Sequence, residues 1–206
     1  MRIYLIRHGE THANVLFNTP ERLMIGALES PLTQLNDTGR QQAQETRRYF
    51  ENVIVDRVIS SDLGRTKETS SIIFPNHDVE FTPLLRERSL GSDEGKRTDL
   101  LFVHPEMQKH HVFTDIDPLD VCLSKRVPDG ENYLMVMDRC REVLSQLDFS
   151  EDKTVALVAH FHTLRCMRYV LLNKEPDMEM FHLMIPNAKP ALFEYQGNSF
   201  VEILLV

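Results

Sequence analysis

The sequence predicts an α/β fold: a three-layer α/β/α sandwich with a mostly parallel central sheet and a small helical lid. Short apolar runs alternate with longer amphipathic stretches along the 206 residues, as strands and helices do in such folds. The run from Thr154 to Ala159 is almost wholly apolar, which is typical of a strand buried on both faces of a parallel sheet. The length suits one core, so we expect a single domain over 1–206 with the lid at about 96–128.

The composition is that of a soluble globular protein. Hydrophobic residues make up 42% and charged residues 26% of the sequence, which are ordinary values for this class. The formal net charge of −8 disfavours binding to nucleic acid or to an anionic membrane. Its apolar runs are too short to cross a membrane, and three cysteines without CxxC spacing fit reduced thiols. We therefore expect a cytoplasmic location.

Two polar side chains follow the first predicted strand, residues 3–6. Arg7 and His8 come directly after this apolar run, and Gly9 lets the backbone turn toward a helix that Thr11 can cap. Anions bind to α/β folds at the C-terminal ends of strands and at the N-termini of the helices that follow. An arginine–histidine pair in this place suits a phosphate, although such a pair alone is more often a solvated strand end.

A long loop and a helix come next. The loop over 18–34 contains Arg22, and loops of this length inside a compact domain are often functional. The helix over 36–51 has Asn36 as its expected N-cap and Asp37 at the positive end of the helix dipole.

The second strand–helix unit repeats the first. A strand over 56–60 is followed by Ser61 and Asp62, which we expect to cap a helix over 63–74. Arg65 falls in the first turn of this helix, where a cation opposes the helix dipole. Either this arginine is exposed and merely tolerated, or it pairs with an anion that also meets the helix N-terminus.

A charged loop follows a third, short strand over 79–81. Glu87 lies in this loop between Arg86 and Arg88, and the local sequence alone favours a salt bridge for its carboxylate. Residues 96–128 are the least regular part of the chain. We expect two short helices there, which form the lid over one end of the sheet.

The last third of the chain completes the alternation of strands and helices. The remaining predicted elements are a helix after Asn132 to about Leu147, a strand over 154–159, a helix to about Asn173, and a hairpin of strands over 191–195 and 200–206. His160 lies at the end of the apolar strand. Because the carboxyl ends of neighbouring parallel strands converge on one crevice, we expect this histidine to meet His8 and Arg65 there.

Several stretches together resemble one known family. Arg7-His8-Gly9-Glu10-Thr11, with Asn14 three residues later, is similar to the signature of the histidine phosphatase superfamily (the phosphoglycerate mutase-like family), phosphatase branch. Further similar stretches come in the family's order over 39–43, 60–69, 85–95, 128–131 and 158–165. One such motif alone is a moderate signal of the family. Six of them in the right order, which together cover most of the chain, are a strong one.

The similarity breaks directly after His160. Phe161 and His162 stand where the family usually has small residues, and Ala159 stands where a serine or threonine is common. We expect the two larger side chains either to narrow the pocket or to add an imidazole to it.

The resemblance implies a phosphoryl-transfer mechanism. It assigns His8 as the nucleophile that becomes a phosphohistidine, and Glu87 as the acid that protonates the leaving group. For this role we expect the pKa of Glu87 to be raised by burial or kept near neutral. Arg7 and Arg65 would hold the phosphate as forked donors, and His160 would bind it as an imidazolium.

The resemblance also implies the substrate contacts. Asn14 would add an uncharged donor to the phosphate, and Arg22 and Phe161 are further expected contacts of a small phosphate ester. No metal or cofactor is implied, because arginines and imidazoles would stabilise the negative charge of the phosphate. A zinc site at the lid histidines or at His160 and His162 is the less favoured alternative, since no cysteine or carboxylate accompanies them at ligand spacing.

Two other functions stay open from the sequence. A mutase would pass the phosphoryl group back to its substrate, but the compact chain favours hydrolysis. A non-catalytic binding protein that kept the fold is the second alternative, because of the changed residues after His160. The expected partner is a small-molecule phosphate ester, and a homodimer through an edge strand or the C-terminal hairpin stays open.

Overall fold

The structure has the predicted layered architecture. This computed structural model describes residues 1–16, 19, 21–97, 129–148, 150 and 153–205. Within these ranges a six-stranded, mostly parallel sheet lies between two layers of helices, which confirms the predicted α/β/α sandwich. The lid expected at 96–128 lies outside the described residues, apart from its first two positions.

The sheet is parallel over four strands and antiparallel over two. Its strands are β1 (Arg2–Arg7), β2 (Arg57–Ser61), β3 (Val79–Thr82), β4 (Thr154–Ala159), β5 (Pro190–Tyr195) and β6 (Phe200–Ile203). They lie side by side in the order β3-β2-β4-β1-β5-β6, and the pairings are parallel from β3 to β1 and antiparallel between β1 and β5 and between β5 and β6. The strands agree with the prediction except that β6 ends three residues earlier than expected.

The helices follow the predicted order with one addition. They are α1 (His12–Val15), α2 (Asp37–Phe50), α3 (Gly64–Ile73), α4 (Tyr133–Ser145), α5 (Phe161–Leu171) and α6 (Met178–His182). Single turns of 3₁₀ helix lie at Pro31–Thr33, Pro83–Leu85 and Gly91–Asp93. The sequence prediction missed α6, a five-residue helix whose N-cap Asp177 accepts a hydrogen bond from the backbone of Met180.

The helix caps were predicted correctly for α1 and α2 but not for α3. Thr11 Oγ1 accepts from Asn14 N at 3.2 Å, and Asn36 Oδ1 accepts from Gly39 N at 2.8 Å. At α3 the N-cap residue is Leu63, and its side chain makes no cap bond. Asp62 pairs instead with Arg86, because a forked guanidinium satisfies both carboxylate oxygens at 2.7 Å.

Alternating residues of β1 feed two separate hydrophobic clusters. Ile3 and Leu5 pack with residues of α4 and α5 on one face, whereas Tyr4 and Ile6 pack with α2 and α3 on the other. This alternation follows from the two-residue period of a strand. Because Ile3 and Ile6 are completely buried, each contributes on the order of 1.5–3 kcal/mol of hydrophobic stabilisation.

The register between β1 and β4 places the two histidines side by side. Arg7 is paired with Ala159, and His8 N donates to Ala159 O at 3.0 Å. His8 and His160 are therefore the next residues on two adjacent strands, which lie about 4.8 Å apart in any sheet. Helices α3 and α5 begin at the same edge, so the carboxyl ends of β1, β2 and β4 meet there as predicted.

Two glycines let the loop after β1 touch the start of α2. A Cβ on Gly39 would lie under 3.0 Å from backbone atoms of Glu10, and a Cβ on Gly9 would lie under 3.0 Å from the carbonyl of Gly39. The contact is reinforced by Asn36, which bonds both the backbone and the carboxylate of Glu10. The loop that carries His8 is thereby fixed to a helix.

Gly39→Ala is expected to lower the free energy of unfolding by about 1–3 kcal/mol, because the atoms that must move are backbone atoms. Urea denaturation of the variant and of the unaltered protein measures the difference. Gly64→Ala is the matched control: its Cβ would meet only the flexible carboxylate of Glu29, so the change should stay within about 0.5 kcal/mol. Equal stability of the two variants would contradict the close-approach argument.

Candidate active site

Two buried histidines form the centre of the site. The ring centroids of His8 and His160 are 5.3 Å apart, and the exposed fractions of the two residues are 5% and 0%. The sequence-predicted Arg7 and Arg65 flank them, and Glu87 is close enough to affect the charge of both arginines. The structure thus brings together five of the predicted site residues.

The hydrogen bonding of His8 defines its tautomer. Its Nδ1 lies 2.7 Å from the carbonyl oxygen of Gly9, so Nδ1 carries the proton and Nε2 keeps a free lone pair. Burial lowers the pKa of His8 well below its usual value, and the nearby charges of Arg65 and Arg7 lower it further. A neutral imidazole with a free Nε2 is the form that can attack a phosphorus atom.

Both nitrogens of His160 are used inside the protein. Arg65 Nε donates to its Nδ1 at 3.2 Å, and its Nε2 lies 2.9 Å from Ser61 Oγ and donates to it. The ring is therefore neutral, and burial followed by the charges of Arg65, His8 and Arg7 lowers its pKa well below the usual value. His160 is thus not the imidazolium that the sequence led us to expect, because Arg7 and Arg65 already place two positive charges near its ring.

Arg7 and Arg65 bond only to neutral partners among the described residues. Arg7 Nη1 donates to Ile185 O at 2.8 Å, while its Nε is buried without a described partner. Arg65 donates to the carbonyls of Gly26 at 2.8 Å and Leu28 at 3.3 Å as well as to His160. Burial lowers the pKa of Arg7 to about 10, which still leaves it charged at neutral pH. Two such cations favour a multiply charged anion between them.

Glu87 lies at the N-terminus of α5, where its carboxylate accepts backbone hydrogen bonds. Its Oε1 accepts from the backbone nitrogens of Arg88 at 2.9 Å, His162 at 3.1 Å and Thr163 at 3.2 Å. Burial alone would raise the pKa of Glu87, but these backbone donors and the nearby charge of Arg65 outweigh it and lower the pKa. The expectation of a raised pKa was wrong for this arrangement, since the sequence does not show that the positive end of a helix lies against the carboxylate.

Two of the three residues that depart from the family pattern, Phe161 and His162, are held by described partners. The Phe161 ring lies between two guanidinium groups, 4.9 Å from that of Arg7 and 4.1 Å from that of Arg165. His162 Nδ1 lies 2.6 Å from the hydroxyl oxygen of Tyr133, and burial lowers the pKa of His162 to about 3. Phe161 thus contacts Arg7, and His162 places a neutral imidazole next to Glu87. Whether Phe161 narrows the site stays a prediction.

Asn187 is a residue of the site that the sequence prediction missed. Its Nδ2 donates to His8 O at 2.9 Å and to Asn14 Oδ1 at 3.3 Å. Asn14 Oδ1 also accepts from Thr11 N at 3.1 Å, so the amide nitrogen of Asn14 is the end that remains to donate to a substrate. Asn187 follows no predicted strand or motif, and nothing in the sequence pointed to it.

The outer parts of the predicted site are less fully described. Arg22 is half-buried in the loop before Leu23, which forms an isolated bridge with Arg97, and its role as a substrate contact stays a prediction. The lid residues 98–128 lie outside the described ranges. Within those ranges there is no group of three metal-ligating side chains and no helix long and apolar enough to cross a membrane.

Comparison with known proteins identifies the family. The profile of the histidine phosphatase superfamily (branch 1) matches residues 3–205. The chain belongs to this superfamily. The match spans nearly the whole chain and confirms both the resemblance and, at the level of the family, an enzyme of the phosphatase type.

Individual relatives carry different names. A Citrobacter koseri protein named "Probable phosphoglycerate mutase GpmB" is 30% identical over 201 residues, which are 96% of this chain and 86% of that protein. The alpha-ribazole phosphatase from Shigella flexneri superposes with a TM-score of 0.79 at 22% identity, over 100% of this chain and 96% of that one. The phosphoserine phosphatase from Entamoeba histolytica in complex with 3-phosphoglyceric acid superposes with a TM-score of 0.76 at 22% identity, over 98% of this chain and 94% of that one. These two structures show the shared fold.

Buried neutral histidines make stability depend on pH. Because the pKa values of His8 and His160 are lowered on folding, the unfolded chain binds protons below about pH 6.5 that the folded protein does not bind. The free energy of unfolding should therefore fall as the pH is lowered from 7.5 to 5.5. Each of the two histidines contributes about 1.4 kcal/mol per pH unit below 6.5.

Urea denaturation at several pH values between 5.5 and 7.5 measures this dependence. His8→Ala should reduce the slope below pH 6.5 by about 1.4 kcal/mol per pH unit, because one of the two proton-binding differences is removed. His12→Ala is the control, since His12 is exposed on α1 and its removal should leave the slope unchanged. A stability that is constant over this range would show that folding leaves the pKa values of the two imidazoles unchanged.

Proposed function

We propose that this protein is a phosphomonoesterase that hydrolyses a small phosphorylated metabolite through a phosphohistidine on His8. The observation that carries the proposal is the hydrogen bond from His8 Nδ1 to Gly9 O, which leaves Nε2 free beside two buried arginines. Membership of the histidine phosphatase superfamily supports the same chemistry. In this proposal Arg7 and Arg65 bind the phosphate oxygens, and His160 joins them by taking up a proton on Nδ1, which the negative charge of the bound phosphate favours.

In the first step the lone pair of His8 Nε2 forms an N–P bond while the P–O bond to the leaving group breaks. The two guanidinium groups of Arg7 and Arg65 stabilise the charge on the three equatorial oxygens. The leaving oxygen takes a proton from the carboxyl group of Glu87 and departs as an alcohol. Phosphohistidine and the Glu87 carboxylate remain.

In the second step a water molecule attacks the phosphorus of the phosphohistidine. The N–P bond breaks and its electron pair returns to His8 Nε2, while a proton of the water passes to the Glu87 carboxylate. Inorganic phosphate leaves, and both residues recover their starting protonation states. No redox partner or second substrate is needed.

Glu87 must carry a proton in the first step although its pKa is lowered in the structure. The negative charge of a phosphate ester held near it raises the pKa of this carboxyl, because a like charge disfavours the ionised form. Oε2 is the oxygen suited to carry the proton. It has one described contact, with His162 N at 3.2 Å, whereas Oε1 accepts three backbone hydrogen bonds.

A mutase is the second candidate function. It is favoured by the name of the Citrobacter koseri relative, which aligns with 96% of this chain. Incubation with 3-phosphoglycerate and, separately, with p-nitrophenyl phosphate distinguishes the two. Release of inorganic phosphate without formation of 2-phosphoglycerate supports hydrolysis, whereas isomerisation that is faster than phosphate release would favour the mutase.

His8→Ala is expected to lower kcat for p-nitrophenyl phosphate at least about a thousandfold, because loss of a nucleophile removes the covalent pathway. The unaltered protein, quenched during turnover, should also contain a phosphate group that is stable in base and labile in acid, as phosphohistidine is. His12→Ala, at an exposed position in α1, is the matched control and should keep the activity. Undiminished turnover by His8→Ala would refute the covalent mechanism.

Glu87→Gln is expected to affect alkyl phosphates more than aryl phosphates. An alkoxide leaving group needs a proton from Glu87, and loss of general acid catalysis costs about 10²–10⁴-fold. A p-nitrophenolate is a weak base and leaves with little assistance. The measurement compares kcat for β-glycerophosphate and p-nitrophenyl phosphate, and an equal loss on both substrates would contradict the assignment of Glu87 as proton donor.

A further inference from the structure

The loop that carries Glu87 is attached to the start of α4 by a pair of charged residues. Arg139 donates from Nε to Glu131 Oε1 at 2.8 Å and from Nη2 to Glu131 Oε2 at 3.0 Å. The side chains are only 18% and 19% exposed, so this forked pair is shielded from water on most sides. Partly buried bidentate pairs of this kind hold the groups bound to them in a more closely defined position than exposed ion pairs do.

The remaining donors of Arg139 bind the chain before Glu87. Its Nη1 donates to the carbonyl of Leu84 and, at 3.2 Å, to the carbonyl of Arg86. The carbonyl of Arg86 also accepts from Thr163 Oγ1 at 2.7 Å. The residue directly before Glu87 is therefore bound from α4 and from α5 at once.

Glu131 binds the chain after Glu87. Its Oε2 accepts from Ser89 N at 2.9 Å, and its own backbone nitrogen donates to Ser89 O at 2.9 Å. Its carbonyl accepts from Arg88 Nη1 at 3.4 Å. Thus both sides of Glu87 are bound to one ion pair, while its carboxylate is bound to the N-terminus of α5.

We propose that Glu131 and Arg139 are positioning residues for the proton donor of the reaction. They touch neither of the two central histidines, but they set where the backbone of Glu87 lies and so where its Oε2 meets the leaving oxygen. This inference rests on the proposed phosphomonoesterase function. A displacement of about 1 Å in a catalytic group can cost about a hundredfold in rate, so the attachment of this loop controls the proton-transfer step.

The test compares two substrates that differ in their need for a proton. Arg139→Lys keeps the charge but loses the fork, and Glu131→Gln keeps the shape but loses the charge. In each variant we expect kcat for β-glycerophosphate to fall at least about tenfold more than kcat for p-nitrophenyl phosphate. Arg141→Lys is the matched control on the same helix: Arg141 pairs with Asp138 at the surface, and the ratio of the two rates should not change.

A second measurement separates positioning from a general effect on the fold. In a Glu87→Gln background, Arg139→Lys should cause no further loss on β-glycerophosphate, because the group that it positions is already unable to donate a proton. Thermal unfolding of every variant is recorded in parallel. If Arg139→Lys does not fold, Glu131→Gln and the corresponding double variant are used for the same comparison.

Each outcome bears on one proposal. Equal losses on both substrates, or losses that add to that of Glu87→Gln, would overturn the positioning role and leave the phosphomonoesterase function intact. An unaltered protein that hydrolyses neither ester would overturn the proposed function itself. A selective loss on the alkyl ester that disappears in the Glu87→Gln background supports both.

Discussion

The parallel pairing of β1 with β4 is the constraint on which the active site depends. His8 and His160 are 152 positions apart in the chain, yet the register Arg7↔Ala159 leaves the two histidines next to each other at one edge of the sheet. A shift of one residue would turn every side chain of β1 to the opposite face. The buried alternation of β1 excludes such a shift, so the same hydrophobic pattern that builds the core also aligns His8 with His160.

Uncompensated positive charge is the second property of the site. The chain has a net charge of −8, but Arg7 and Arg65 are paired with no carboxylate within ion-pair distance among the described residues. Burying cations without a counterion is unfavourable and lowers stability. Carbonyls of the surrounding loops and the ring of Phe161 offset part of that cost, and under the proposed function a phosphate would offset the rest. The charge of Arg7 and Arg65 is thus opposite in sign to the net charge of the protein.

The strand ends and the polar residues at them could be predicted from the sequence. The pKa shifts and the tertiary hydrogen bonds of the site residues could not. Arg7, His8 and His160 follow apolar strands, and the rule that parallel strands converge at their carboxyl ends was sufficient to bring them together. The low pKa of Glu87 depends on contact with a helix that begins far later in the chain, and the role of Asn187 depends on a loop without a motif. Such features arise from tertiary contacts between segments that carry no local signal.

The bond between Arg65 and His160 has a kinetic consequence. His160 Nδ1 accepts a hydrogen bond from Arg65 Nε at 3.2 Å and so carries no proton that it could donate to a phosphate oxygen. Under the proposed function, entry of the substrate therefore breaks this bond and adds a proton to Nδ1, and the affinity for phosphate is reduced by the bond that is given up. The same bond re-forms when inorganic phosphate leaves, which would weaken inhibition by the product.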